Sequence, residues 1–398
     1  LFHEKPFAQL NGSGKHCNWS MSVQSEDSSL DQLNLLEPGK TPQENFRFLL
    51  FLVAVLNGVH KHAGLLRAGI ASSGNDHRLG ANEAPPAIIS VFLGDMLTNI
   101  LDKIESGVSL DKPEEAVLEL GVSKIPAISK DNTDRNRTSP FAFTGNKFEF
   151  RAVGSSAAVA FPVTLLNAAV ADSLEELTGL LKSKLSSGVS REKAVLELVK
   201  EISARSKSVR FEGNNYSDEW VKDAQGRGLK NLEKTPESLE ELISPLSKET
   251  LTRLEIFNEA ELESRFHVRM ERYVMDLEIE VSTLLSIVKT YVEPVAYQYY
   301  AELAQGVKLS KDLGSEVPQE ASYKELGNLL KKLGQAKSDL EKVFLSAETA
   351  SSALEKAKRL SREVSVAMLS LRSVADEIEG CVPDSAWPLP KYREMLFL

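Results

Sequence analysis

A seven-residue rhythm runs through the last part of the chain and restricts it to long helices lying side by side. Leu326, Leu333, Leu340, Ala347 and Leu354 form one apolar series, which resumes at Met368 after a break at Ser361. Leu329, Ala336, Val343, Ala350, Ala357, Val364, Leu371 and Ile378 form its companion. Two such series, three residues apart, draw one continuous stripe on an α-helix. Residues from about 318 to 380 are therefore expected to form a coiled-coil or helical-hairpin seam, with Gly327 and Gly334 weakening its first turns. A seam of this kind packs helices on one another or on a neighbouring subunit, and carries no chemistry of its own.

The remainder has a different texture. Up to about Asp172 the chain mixes glycine-rich loops with short alternating segments, such as "NKFEFRAV", and reads as α+β. Beyond it the pattern is almost wholly helical, which predicts two regions, 1–172 and 173–398. "GIASSGNDHRLGANEAPP" reads as a loop stopped by Pro85 and Pro86. Ser217 reads as the N-cap of a helix in "SDEWVKDAQGRG". The most apolar run, Phe48 to Leu56, is too short to span a bilayer. Thr41, Pro42 and Glu44 ahead of it form a capping box, so a buried helix is expected rather than a membrane segment. A net charge of −10 argues against broad nucleic-acid binding and leaves room for a local cationic pocket. Two cysteines without a CxxC pair disfavour a disulfide scaffold and suit a reducing compartment. The cytoplasm is the expected location, with an organelle as the alternative if a presequence precedes Leu1.

Chemistry concentrates in the first region. "NGSGKH" is not a phosphate loop of the Walker type, because Gln9 stands at the required glycine and His16 follows Lys15. It reads instead as a tight turn feeding a strand, with His16, Asn18 and Ser20 on one face and Cys17 and Trp19 on the other. Such a strand is either the wall of a site or an ordinary strand with a structural histidine. In "NKFEFR", Lys147, Glu149 and Arg151 share a face backed by Phe148 and Phe150. That face suits a charged pocket or a solvated surface with cross-strand ion pairs. Glu149 and His16 offer donors for Mg²⁺ or Mn²⁺. The arginines, including Arg135 and Arg137 in a polar loop, suit carboxylate or phosphate. His60 and His62 lack metal-site spacing and carboxylate neighbours, and read as structural or surface residues.

In this order, "KPFAQLNGSGKHCNWS", "HRLGANEAPPAII" and "DRNRTSPFAFTGNKFEFR" resemble the sequence blocks of glutamine synthetase. The helical remainder, including "NNYSDEWVKDAQGRGL" and "EAELESRFHVRMERY", is similar to the extended C-terminal region of its type III class. The resemblance implies the later part of a catalytic barrel, followed by a helical extension. It also implies ATP-dependent joining of ammonium to L-glutamate through γ-glutamyl phosphate. His16 and Glu149 would ligate the divalent metal, and Asn11, Gly12, Arg78 and Arg151 would hold glutamate. Arg137 would stabilise the transferring phosphoryl group, and Glu83 would be the gate carboxylate that takes a proton from ammonium. Asn18, Ser20 and Lys147 would lie toward the nucleotide.

Two departures concern that last group. Asn18 replaces a second histidine of the commoner class, and Lys147 replaces an arginine. The resemblance further implies an upstream β-grasp domain with the remaining metal carboxylates, and stacked rings forming a homo-oligomeric dodecamer. The isolated chain is accordingly expected to be inactive alone, with no nucleic acid or membrane among its partners. The competing expectation is a non-catalytic homologue that assembles or binds metabolites.

Overall fold

The computed structural model describes residues 14–27, 30–80, 84–107, 139–390 and 394. Two compact units divide the chain, Leu1–His267 and Val268–Leu398.

The first unit is built on a four-stranded mixed sheet of order β1-β4-β3-β2. The strands are β1 (Gly14–Trp19), β2 (Val91–Phe92), β3 (Phe141–Phe143) and β4 (Phe148–Gly154). β1 and β3 run antiparallel to β4, and β2 runs parallel to β3. The alternation in "KFEF" works as expected through Phe150. Phe141, Phe143, Phe148 and Phe150 are all buried, with Phe141 stacked on Phe150 at 4.2 Å and Phe143 edge-on to Phe148 at 5.3 Å. The described residues thus supply an α+β core with one sheet, and the expected partial barrel is not seen among them.

The helices of this unit begin with α1 (Pro42–Lys61), α2 (Ala63–Gly69), α3 (Ser73–Arg78), α4 (Asp95–Ser106), α5 (Ala160–Ser186) and α6 (Arg191–Arg205). The capping box of α1 is present as read: Glu44 N–H donates to Thr41 Oγ1 at 3.3 Å, and Thr41 N–H donates back to Glu44 Oε2 at 2.9 Å. Its apolar run is buried, and Phe48 reaches Phe143 across the sheet at 5.7 Å. α1 packs on α5 and α6, approaching α5 at Gly58, where an added Cβ would lie 2.7 Å from the Ala169 carbonyl oxygen. Among the described residues no single helix is long and apolar enough to cross a membrane. α1 with α2 has the composition as a pair, but is bent by 77° and largely buried within the unit.

α3 corrects the loop expected for "GIASSGNDHR". Ser72 accepts from Asn75 N–H and starts a short helix that ends at Arg78. Its Ser, Gly, Asn and Asp residues favour turns by local propensity; buried bonds to distant segments hold the helix together. α7 (Asp218–Gly226) follows its Ser217 cap as read, and α8 (Thr235–Glu240), α9 (Pro245–Arg253) and α10 (Glu259–Ile287) complete the succession.

In the second unit, α11 (Glu293–Asp312), α12 (Glu320–Glu348), α13 (Ala353–Arg359) and α14 (Ser365–Cys381) give a helical hairpin. Leu326, Leu329, Leu333, Leu340 and Ala347 from α12 are buried, as are Leu371, Val374, Ala375 and Ile378 from α14. The chain reverses at residues 349–352, where Ser352 caps α13, rather than at Ser361. Ser361 lies in a π-helical turn, Leu360–Val364. Ser361 is itself buried, as are Ala357, Val364, Leu371 and Ile378, so the apolar series is interrupted by a polar residue that stays on the packed face. Gly327 lets Tyr300, stacked on Tyr323, approach the α12 backbone: a Cβ there would sit 3.1 Å from the Tyr300 ring.

Candidate functional site

β1 and β4 form the wall on which the charged residues meet. His16, Asn18 and Ser20 are exposed, while Cys17 and Trp19 are half-buried, as strand alternation requires. Trp19 is fastened by its indole N–H to Asn167 Oδ1 of α5 at 2.8 Å. Asn18 faces Glu149 across the ladder, and His16 Nδ1 lies 2.8 Å from Glu149 Oε1. The His16 side chain is 51% exposed and that of Glu149 18% exposed. An imidazole nitrogen and a carboxylate oxygen converging on an accessible face suit a divalent ion such as Mn²⁺ or Mg²⁺. Among the described residues no group of three or more His, Cys, Asp or Glu is placed to hold a metal ion.

The other end of the wall is tied to the β3–β4 turn. Asn34 Nδ2 donates to the Asn146 carbonyl at 2.8 Å, and the Ser20 hydroxyl lies 2.7 Å from Asn34 Oδ1 and 3.0 Å from the same carbonyl. Lys147 Nζ donates to Asn146 Oδ1 at 3.3 Å. Asn18, Ser20 and Lys147 thus border one stretch of β1 and the turn before β4.

A bulge interrupts the β1–β4 ladder. Lys15 faces Val153 and Cys17 faces Phe150, so Arg151 and Ala152 stand together opposite His16. A bulge leaves backbone groups without ladder partners, and α3 supplies them. Arg78 Nη2 donates to the Arg151 carbonyl at 2.7 Å, and Asn75 Nδ2 donates to the Ala152 carbonyl at 3.0 Å. Arg78 and Arg151 are each only 2% exposed. Arg151 sends Nη2 to the Ser139 carbonyl, so its guanidinium is drawn inward from the face shared by Lys147 and Glu149. Gly14 lies directly over Arg78: a Cβ at that position would fall 2.0 Å from Nη2. The site residues Asn11, Gly12, Glu83 and Arg137 lie outside the described residues, as does Arg135.

Residues 194–311 match the glutamine synthetase C-terminal domain family. Over its whole length the chain is 42% identical to a glutamine synthetase of Bacteroides fragilis (strain YCH46), spanning 55% of that protein. It is likewise 42% identical to the type-3 glutamine synthetase of Dictyostelium discoideum, spanning 54%, and 39% identical to a glutamine synthetase of Butyrivibrio fibrisolvens, spanning 56%. Over its whole length the chain is thus similar to proteins named glutamine synthetase. It covers about 55% of the length of these relatives.

Sequence reasoning missed a set of buried polar residues elsewhere in the first unit. Asp76 accepts from Thr235 N–H at 3.0 Å and from its hydroxyl at 2.7 Å, with Arg67 Nη2 at 3.6 Å. Burial pushes the Asp76 carboxyl up, against the pull of Arg67 and the Thr235 bonds. These contacts join α3 to a segment of the matched C-terminal domain. A second node ties α1 to α5 and α9. Asp172 takes His62 Nε2 and Lys61 Nζ at 2.7 Å on one oxygen and Arg253 on the other. Burial lowers the His62 pKa despite Asp172 beside it. The structural reading of His62 therefore holds. Isolated Asn, Asp and His residues give no period in the sequence, and only their distant partners reveal these roles.

Proposed function

We propose that this chain is the later part of a glutamine synthetase, an ATP-dependent ligase that forms L-glutamine from L-glutamate and ammonium through γ-glutamyl phosphate. The observation that carries the proposal is the His16–Glu149 pair, 2.8 Å apart on the exposed face of a wall whose other side is held by Arg78 and Arg151. Full-length identity to proteins named glutamine synthetase supports it.

In this reading His16 and Glu149 hold Mg²⁺ or Mn²⁺ with ligands from elsewhere in the complete protein. The bound ion supplies Lewis-acid neutralisation of the phosphoryl group passing from ATP to the glutamate γ-carboxylate. Arg78 and Arg151, with Asn11 and Gly12, hold glutamate, since guanidinium N–H donors match carboxylate oxygens. Arg137 stabilises charge on the transferring phosphoryl group. Asn18, Ser20 and Lys147 lie toward the nucleotide. Glu83 shields the acyl phosphate from water and accepts the proton that ammonium loses as its nitrogen attacks. The carbon–nitrogen bond then forms as phosphate leaves.

The reading extends to a catalytic part ending near residue 172, a barrel completed by further chain, and a helical extension over 173–398. It also includes a dodecamer of stacked rings in the cytoplasm. Because its relatives are nearly twice as long, the 398-residue chain alone is proposed to be inactive.

The test is Glu149→Ala in the natural protein that carries this sequence. Metal-dependent glutamine formation should fall by about 100-fold or more, since even groups behind a metal ligand are worth 10–100-fold. The assembled mass should not change. Retained turnover would refute the metal role, and lost assembly would favour a non-catalytic assembly protein.

A further inference from the structure

We infer that Asn75 is a positioning residue for Arg78, fixing the plane of the guanidinium that receives a glutamate carboxylate; the inference rests on the proposed substrate role of Arg78. Asn75 is 0% exposed, and its side chain makes three hydrogen bonds. Nδ2 donates to the Ile70 carbonyl at 2.7 Å and to the Ala152 carbonyl at 3.0 Å. Oδ1 accepts from Arg78 Nη1 at 3.2 Å. Two carbonyls can be met only by the NH₂ end, so the amide orientation is determined by its surroundings. Flipping it would set oxygen against two oxygens and NH₂ against a cation. The oxygen must therefore face Arg78.

Arg78 is consequently held at both terminal nitrogens, Nη1 by Asn75 and Nη2 by the Arg151 carbonyl. Gly14 closes the space above it, where a Cβ would also lie 2.4 Å from the guanidinium carbon. A planar fork secured at two corners and covered on one side has little freedom to tilt. Its orientation is therefore set before an anion arrives, which saves rotamer entropy on binding. Asn75 and Arg78 are three residues apart on α3, which places them as neighbours on one helical face. The sequence block around Arg78 thus includes a residue that acts through it.

The test is a double-mutant cycle in the natural protein, reading the KM for glutamate, the KM for ATP, kcat and Tm. Hydrogen bonds to charged groups are worth about 10–100-fold, so Asn75→Ala should raise glutamate KM by about tenfold and leave ATP KM unchanged. Arg78→Ala should raise glutamate KM at least as much, and the double variant no further than Arg78→Ala. Asn75→Asp retains an acceptor for Arg78 but loses both donations. It should lower Tm while glutamate KM stays near the parent value.

Additive effects in the cycle would overturn the inference, as would an unchanged glutamate KM in Asn75→Ala beside a raised one in Arg78→Ala. Asn75→Asp matching Asn75→Ala in glutamate KM would also overturn it, showing that Asn75 acts through the two carbonyls. An unchanged glutamate KM in Arg78→Ala would overturn the substrate reading of Arg78 itself.

Discussion

Adding one methyl group at Gly58 should destabilise the first unit, although the same change elsewhere on a helix should strengthen it. Gly58 lies in α1, where Ala is favoured over Gly by up to about 1 kcal/mol. Against that gain, the new Cβ would meet the Ala169 carbonyl oxygen at 2.7 Å, its carbon at 3.0 Å and Val170 Cα at 3.3 Å. All three are backbone atoms of α5, so no rotamer change relieves the contact and the helices must part. Overpacking of this kind costs about 1–3 kcal/mol, and the absence of a soft neighbour places Gly58 toward the upper end. The expected net loss is about 1–2 kcal/mol. Gly179, exposed on α5 with nothing within 4 Å of its added Cβ, supplies the control. Gly179→Ala should stabilise by up to about 1 kcal/mol. Urea denaturation of both variants, followed by far-ultraviolet circular dichroism, measures the difference in midpoint at constant slope. A Gly58→Ala protein as stable as the parent would refute the close packing of α1 on α5.

Acid should weaken the node around His62. Burial lowers its pKa while the unfolded chain protonates near 6.5, so stability is full above 6.5 and falls as pH drops toward the folded value. His60, also lowered by burial and by Arg205, acts in the same direction. His62→Gln should reduce the slope of stability against pH just below 6.5, and an unchanged slope would contradict this account. At the start of α1, Thr41→Ala should cost about 1 kcal/mol by urea titration. Backbone N–H groups of Thr41 and Lys40 hold the Glu44 carboxyl below 4.5, so its contribution is present above 4.5 and lost as pH falls through the folded pKa. Glu44→Gln should remove that part of the acid sensitivity.

Periodic features were legible in the sequence because one strong pattern determines them. The seam of α12 and α14, the buried α1 with its cap, and the alternation of Phe148, Glu149 and Phe150 all follow from spacing alone. The reversal at residues 349–352 was not legible, because the apolar spacing runs on through Ala347, Ala350 and Leu354 across it. The helix α3 was hidden for another reason. Its composition favours a turn, and its stability comes from Asp76 on Thr235 and Asn75 on Ala152, partners far away in the chain. At the site, alternation placed His16 and Glu149 on accessible faces of adjacent strands. The bulge that draws Arg151 inward leaves no local signature in the sequence.

The central claim is that these residues work in a glutamine-forming ligase, and product analysis of the natural protein tests it most directly. Incubated with glutamate, ammonium, ATP and a divalent metal, it should form glutamine, ADP and phosphate in equal amounts. Chelation of the metal should stop all three. A folded, assembled protein that forms no glutamine under these conditions would contradict the account.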